Sequence, residues 1–427
     1  MTSHNDPREP RPAEPGPTAQ PPQPNPDVPA PDHGYGAPQP GHEYGAPAPG
    51  HGYAVPPGQP YGGPQGPYGP GPRDPDGHGP QGQYGHGPYG PGVPQPGWMP
   101  VPTTADDLPP HLRPALPVET RDYFAFWRAP RYRWWKSLLA LLMAGGIFLA
   151  LSGVAGFIGM AIDGVDFAEV SRTGEIPVGP GFFIANNVSL ALCIPIAMLT
   201  AWACVGQRPR WLTSVVGGMR WRWFWLVVGV LTPLWIVLMA IGYAIMPPQD
   251  VGLWPHTVPM IVGILLTTPF QAAGEEYLVR GLLGRVVASW FPAPAVGFGV
   301  STLVTALVFM ALHGAGDPWL NVYYVAFALV GSWLTWRTGG LEAAVAIHIV
   351  NNMLSEALLP FIDISGMFDR EAGAGDATIL INIGVLLIAG VLIDFLARRR
   401  KLVKANDPGR AELDATLASA AAYGPRF

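Results

Sequence analysis

The chain has 427 residues, is 48% hydrophobic but only 13% charged, and carries a formal net charge of -5. About a quarter of the residues in a soluble globular domain are charged, so this composition excludes an ordinary water-soluble enzyme, and the weak negative charge gives no case for nucleic acid. The two cysteines, Cys193 and Cys204, lie in or beside one apolar run and imply no disulfide framework.

Residues 1–100 hold 29 prolines and 21 glycines, with loose repeats such as GYGAPQPGHEYGAPAPGHGY. Such a stretch lacks the apolar side chains that offset ordering entropy, so a disordered Pro/Gly/Tyr-rich segment is expected over residues 1–117. No apolar run lies near Met1, so the first hydrophobic helix is expected to act as the membrane signal. Residues 118–136 mix aromatic with basic side chains: Phe124, Phe126, Trp127, Arg128, Arg131, Arg133, Trp134, Trp135 and Lys136. That mixture marks a membrane–water boundary and predicts a short interfacial helix on the cytoplasmic side.

Apolar runs near the ~20 residues that span a bilayer then follow. They are Ser137–Ile162, Phe182–Val205, Trp223–Met246, Val258–Trp290, Phe298–His313, Leu320–Trp336, Leu341–Leu359 and Ile379–Leu396. The fourth is too long for a perpendicular crossing. Basic residues gather in alternate loops: 121–136, Arg208–Arg222, Arg337, and Arg398–Lys401. The other side is acidic, with Asp163, Asp166, Glu169 and Glu175, then Asp363, Asp369, Glu371 and Asp376. By the positive-inside rule, this predicts an all-α, multi-pass transmembrane helical bundle of about eight spans in the plasma membrane, with both termini cytoplasmic. The Arg208–Arg222 loop reads as a second interfacial segment, and Pro408–Tyr423 as a soluble helix. The expected divisions are 118–254 for the interfacial helix and first three spans, 255–360 for a polar-centred core, 361–404 for the outer loop and last span, and 405–427 for a cytoplasmic tail.

Chemistry concentrates where ionisable residues interrupt hydrocarbon. Such residues cost several kcal/mol, about 2.5–3.5 on insertion scales, and mark function by default. Gly274-Glu275-Glu276-Tyr277-Leu278-Val279-Arg280 places Glu276 and Arg280 four apart, on one helix face, where they can pair. Glu275, rotated by about 100°, is left free for general-base work. The plainer alternative is a structural ion pair with an idle neighbour. His313 ends the run Phe309–His313; alone, a histidine at a helix end is often merely interfacial. Glu275 and His313 each lie 19 residues from residue 294, the centre of the turn between them, so straight antiparallel helices would bring them to equal depth. His348 and Asn352, four apart, share a face; the alternative there is a helix–helix polar clamp. A base, two imidazoles and an amide can activate a water and stabilise an oxyanion, the two needs of peptide hydrolysis. Glu275, His313 and His348 could instead hold a divalent metal such as zinc, although no HExxH helix favours that reading, and no other cofactor is expected.

The order EExxxR at Glu275–Arg280, FxxxH at Phe309–His313 and HxxxN at His348–Asn352 resembles the CPBP family of intramembrane proteases, which includes the CAAX prenyl endopeptidases and the bacterial Abi proteins. The resemblance covers roughly residues 255–360. It implies a CPBP-like catalytic core with Glu275 as general base, His313 holding or activating the water, His348 and Asn352 as the oxyanion site, and Glu276 with Arg280 in support. Metal dependence stays open. The style of the N-terminal segment and of the Trp/Arg-rich loop is similar to high-GC actinobacterial membrane proteins. The expected activity is an intramembrane endopeptidase acting on a membrane-associated protein or peptide, within the lipid bilayer. Two alternatives are a proton-coupled transporter using buried Glu and His, disfavoured by the absence of an inverted repeat, and a non-catalytic membrane scaffold recruiting through its tail.

Overall fold

The computed structural model describes residues 101–423, apart from 175–177, 366 and 368–369. The disorder expected over 1–100, and the acidic loop residues Glu175 and Asp369, lie outside the described residues.

Long uninterrupted apolar runs close their hydrogen bonds within the segment, the requirement for crossing lipid. The result is α1 (Trp134–Ile162), a short α2 (Phe167–Thr173), α3 (Pro180–Ala191), α4 (Cys193–Val205), a one-turn α5 (Arg210–Thr213) and α6 (Trp221–Ile245). Next come α7 (Thr257–Glu276), a π-helical segment at Tyr277–Leu283, and α8 (Gly284–Ser289), which form one continuous rod. Then follow α9 (Pro294–His313), α10 (Pro318–Thr338), α11 (Glu342–Ser355), α12 (Ile379–Arg399) and α13 (Arg410–Tyr423). Large apolar side chains such as Leu149, Phe157, Leu265, Phe270, Ile388 and Val391 point outward, as lipid-facing surfaces do. The chain is a multi-pass membrane protein of helical class.

Among the described residues, seven helices are long and apolar enough to cross a membrane; α3 and α4 count together as Pro180–Val205, and α7 through α8 as Thr257–Ser289. The sixth expected span, Leu320–Trp336, lies within α10, a helix of 21 residues that is less apolar than these seven. Asn321, Tyr323, Tyr324, Ser332 and Thr335 lower its apolarity, and it packs against α9, α11 and α12.

Both expected interfacial segments fold inward instead. Residues 118–136 form strand β1 (Arg121–Asp122), a 3-10 turn at Phe124–Trp127, and the start of α1. Four aromatics within five residues, Tyr123, Phe124, Phe126 and Trp127, are at most 1% exposed. Adjacent aromatics point in all directions around a helix, so no single face could rest on lipid; the segment buries them in the bundle instead. Tyr123 Oη donates to the Leu212 carbonyl at 2.6 Å, and its ring lies 3.9 Å from the Arg285 guanidinium. Burial pushes the Tyr123 phenol above its ordinary range. Residues 101–117, placed with the disordered segment on composition, are also structured: Leu108 is buried, and the Leu116 side chain packs against the core. In the second loop, Trp211 and Leu212 are buried and Ser214 bridges to Gly340. The helix expected at Pro408–Tyr423 is α13, and β1 pairs antiparallel with β2 (Ala405–Asn406).

Two contacts position the helices that carry the polar residues. A Cβ on Gly274 would collide with the Leu190 carbonyl, so glycine is what lets α7 approach α3 beside Glu275. At the start of α11, the fully buried Glu342 binds Arg220 through contacts of 2.6 and 2.7 Å.

Candidate active site

Glu276 and Arg280 form the pair that their spacing predicts, at 2.9 Å with both side chains fully buried. The Arg280 guanidinium also lies 4.4 Å from the Phe309 ring, in cation–π range. His348 enters from α11 and touches both glutamates. Its Nδ1 is 2.8 Å from Glu276 Oε1, and its Nε2 is 3.6 Å from Glu275 Oε2. Glu276, ionised beside Arg280, is an acceptor, so the His348 Nδ1 carries the proton. The gap to Glu275 exceeds a direct hydrogen bond and suits a small shift or a bridging water.

Glu275 is held from its other side. Gln271, one turn earlier on α7, donates to Glu275 Oε1 at 2.5 Å and accepts from Asn352 Nδ2 at 3.1 Å. Asn352 Oδ1 accepts from Asn351 at 3.1 Å, and Asn351 Oδ1 accepts from Tyr323 Oη at 2.7 Å and Trp235 Nε1 at 3.3 Å. Every donor in this chain points toward the Glu275 carboxylate, an arrangement in which successive hydrogen bonds polarise one another.

A cavity of about 1100 Å³ opens on Glu275, with Gln271, His313, Asn352 and Glu356 also in its lining. His348, 3% exposed, sits behind Glu275 and does not line it. His313 donates from Nδ1 to the Phe309 carbonyl at 2.7 Å and stacks on Tyr324 at 4.0 Å, which leaves Nε2 of the neutral ring as an acceptor. The six residues singled out from sequence therefore divide. Glu275, Glu276, Arg280, His348 and Asn352 join one network, with Asn352 connected through Gln271. His313 shares the cavity from the end of α9.

Gln271, Asn351, Tyr323 and Glu356 were missed. Two of them had a usable signal: Gln271 is four residues before Glu275 and Glu356 four after Asn352, each continuing a polar face by one turn. The π-helical segment beginning at Tyr277 had no sequence signal; such segments recur at functional sites, and Tyr277 Oη anchors this one to Thr213 at 2.8 Å.

Among the described residues, no group of three or more His, Cys, Asp or Glu side chains could hold a metal ion. Glu275, His313 and His348, the alternative metal donors, do not converge on one point, and the His348 Nδ1 is committed to Glu276.

Residues 255–354 match the family model described as type II CAAX prenyl endopeptidase Rce1-like. This stretch is an Rce1-like domain of the CPBP family. It spans α7 through nearly all of α11 and contains all six residues discussed above. The chain is also similar to the uncharacterized protein YyaK of Bacillus subtilis (strain 168), at 28% identity over 100 residues, covering 22% of this chain and 32% of that protein. The chain thus matches about a third of the length of this curated relative. No solved structure matches.

Proposed function

We propose that the protein is an intramembrane endopeptidase in which Glu275 activates a water for attack on a peptide bond. The observation that carries this reading is the division of labour between adjacent carboxylates. Glu276 is neutralised by Arg280 and buried, whereas Glu275 faces the cavity without an arginine, aimed by Gln271 and His348.

In this mechanism a water between Glu275 and His313 loses a proton to Glu275 as its oxygen bonds the scissile carbonyl carbon. The carbonyl oxygen becomes an oxyanion. Asn352 uses one amide hydrogen on Gln271 and keeps a second for that oxyanion. Glu275 then returns the proton to the departing amine as the C–N bond breaks. His348, behind Glu275, orients the base and answers its changing charge. No step is routed through a metal.

The substrate is a membrane-associated protein or peptide, reached within the bilayer; prenylation is not required by any residue described. The basic clusters at Arg128–Lys136 and Arg398–Lys401 favour both termini on the cytoplasmic side of the plasma membrane.

The test compares membrane-fraction neo-termini in cells making the wild type, Glu275→Ala and His348→Ala at equal expression. Termini that vanish in both variants support the protease and name its substrates. Unchanged termini together with a lost proton-linked uptake would overturn it in favour of a transporter.

A further inference from the structure

The seven candidate spans and α10 together contain five acidic side chains: Glu275, Glu276, Glu342, Glu356 and Asp394. Three are paired with arginine. Glu276 binds Arg280, Glu342 binds Arg220, and Asp394 binds Arg337 and Arg398. The two without an arginine among the described ion pairs are Glu275 and Glu356, and both line the same cavity. A carboxylate left without a cation in an apolar bundle is costly unless something else uses it.

Glu356 is also held in place. Its Oε2 accepts from Thr268 Oγ1 at 2.6 Å, and Asn187 on α3 donates to the same Thr268 oxygen at 3.2 Å. The contact is the outermost rung of a ladder between antiparallel α7 and α11. The rungs are Glu276 and Glu275 with His348, Gln271 with Asn352, and Thr268 with Glu356. Glu356 caps the C-terminal end of α11, eight residues beyond His348, so it stands ~12 Å along the helix from the Glu275 level. No hydrogen-bond chain among the described residues joins the two carboxylates. Arg370, the arginine in the cavity lining, is engaged at the His313 carbonyl at 3.0 Å.

We infer that Glu356 is a specificity-determining subsite that takes a cationic group of the substrate, a lysine or arginine side chain or a free amine. An extended chain advances ~3.3 Å per residue, so ~12 Å sets this group three to four residues from the bond at Glu275. The substrate class is then a membrane-anchored polypeptide with a basic residue on one side of the cleaved bond at that spacing. The inference rests on the protease reading, with Glu275 as its base.

The experiment maps neo-termini in membranes from cells making the wild type, Glu275→Ala, Glu356→Gln and Glu356→Asp, with folding checked by thermal unfolding in detergent. Glu275-dependent termini define the cleavages. The expected result is an enrichment of Lys or Arg three to four residues from the cleaved bond in wild type. Glu356→Gln, which keeps the contact with Thr268, loses that enrichment while still cleaving, and Glu356→Asp retains part of it. Cleavages that show no basic enrichment, or the same enrichment in Glu356→Gln, overturn the subsite while leaving the protease intact. An absence of any Glu275-dependent termini overturns the protease reading, and the subsite with it.

Discussion

The Gln271 amide nitrogen lies 2.5 Å from Glu275 Oε1, and the Gln271 carbonyl oxygen is fixed by Asn352. A residue on the same helix as the base thus couples it to the helix that carries the amide. Gln271 is a positioning residue, and its substitution should act on turnover more than on binding. We expect Gln271→Leu to lower kcat on the order of tenfold to a hundredfold, the scale of a misplaced reacting group. KM should change little, and the loss of stability should stay near ~1 kcal/mol, one hydrogen bond's worth. Steady-state kinetics on a cleaved substrate would separate these; a raised KM at constant kcat would place Gln271 in substrate binding instead.

The Glu276–Arg280 pair should respond asymmetrically. Arg280→Met strands a fully buried carboxylate and is expected to cost about 3–5 kcal/mol. The double variant Glu276→Gln/Arg280→Met removes both charges and should recover part of that loss. Unfolding in mixed micelles measures both. Equal losses in the single and double variants would mean that packing of Arg280 on Phe309, rather than charge, dominates.

Outside the spans, Asp317 ties the start of α10 to the outer loop. Its carboxylate accepts from Leu320 and Trp319 backbone N–H groups at 3.0 and 2.8 Å and from Gly373 at 2.9 Å. The Leu320 N–H, opposed in part by burial and joined by the Gly373, Gly375 and Trp319 N–H groups, holds its carboxyl below the ordinary carboxylate range. A carboxylate depressed on folding contributes stability that is complete above its unfolded pKa and is lost as pH falls through the folded value. Protection factors of the Gly373 and Leu320 amides, corrected for the pH dependence of intrinsic exchange, should therefore fall on acidification in wild type and be low and flat in Asp317→Ala. An acid-independent wild type would show that other contacts hold the loop.

Much of the core was legible because its signals are local. Glu276 and Arg280 declare their pairing through four-residue spacing, and intramembrane charge draws attention to Glu275 without any knowledge of tertiary contacts. Gln271 and Glu356 were harder to see because glutamine is a modest polar interruption and Glu356 sits at the frayed end of its helix, where a charge looks like loop. The inward folding of Tyr123–Trp127 depends on a partner far along the chain, Arg285, so an aromatic-basic composition that predicts a lipid-facing helix instead supplies a buried strap. His348 was visible as polar, yet its place behind Glu275 instead of at the cavity follows only from how α11 crosses α7.

The pairing of Arg121 with Asn406 and Asp122 with Ala405 joins points separated by nearly the whole described chain. Synthesis proceeds at ≈ 5–20 residues per second, so the upstream strand must wait for well over ten seconds before its mate leaves the ribosome. Until then the aromatic strap around Tyr123 is held by Leu212 and Arg285, once these have emerged, and not by the strand pairing. The last event of assembly is then a clasp closing on the aqueous side, after every helix has entered the bilayer. A released chain truncated after residue 404 should be fully inserted yet sensitive to protease at residues 118–130.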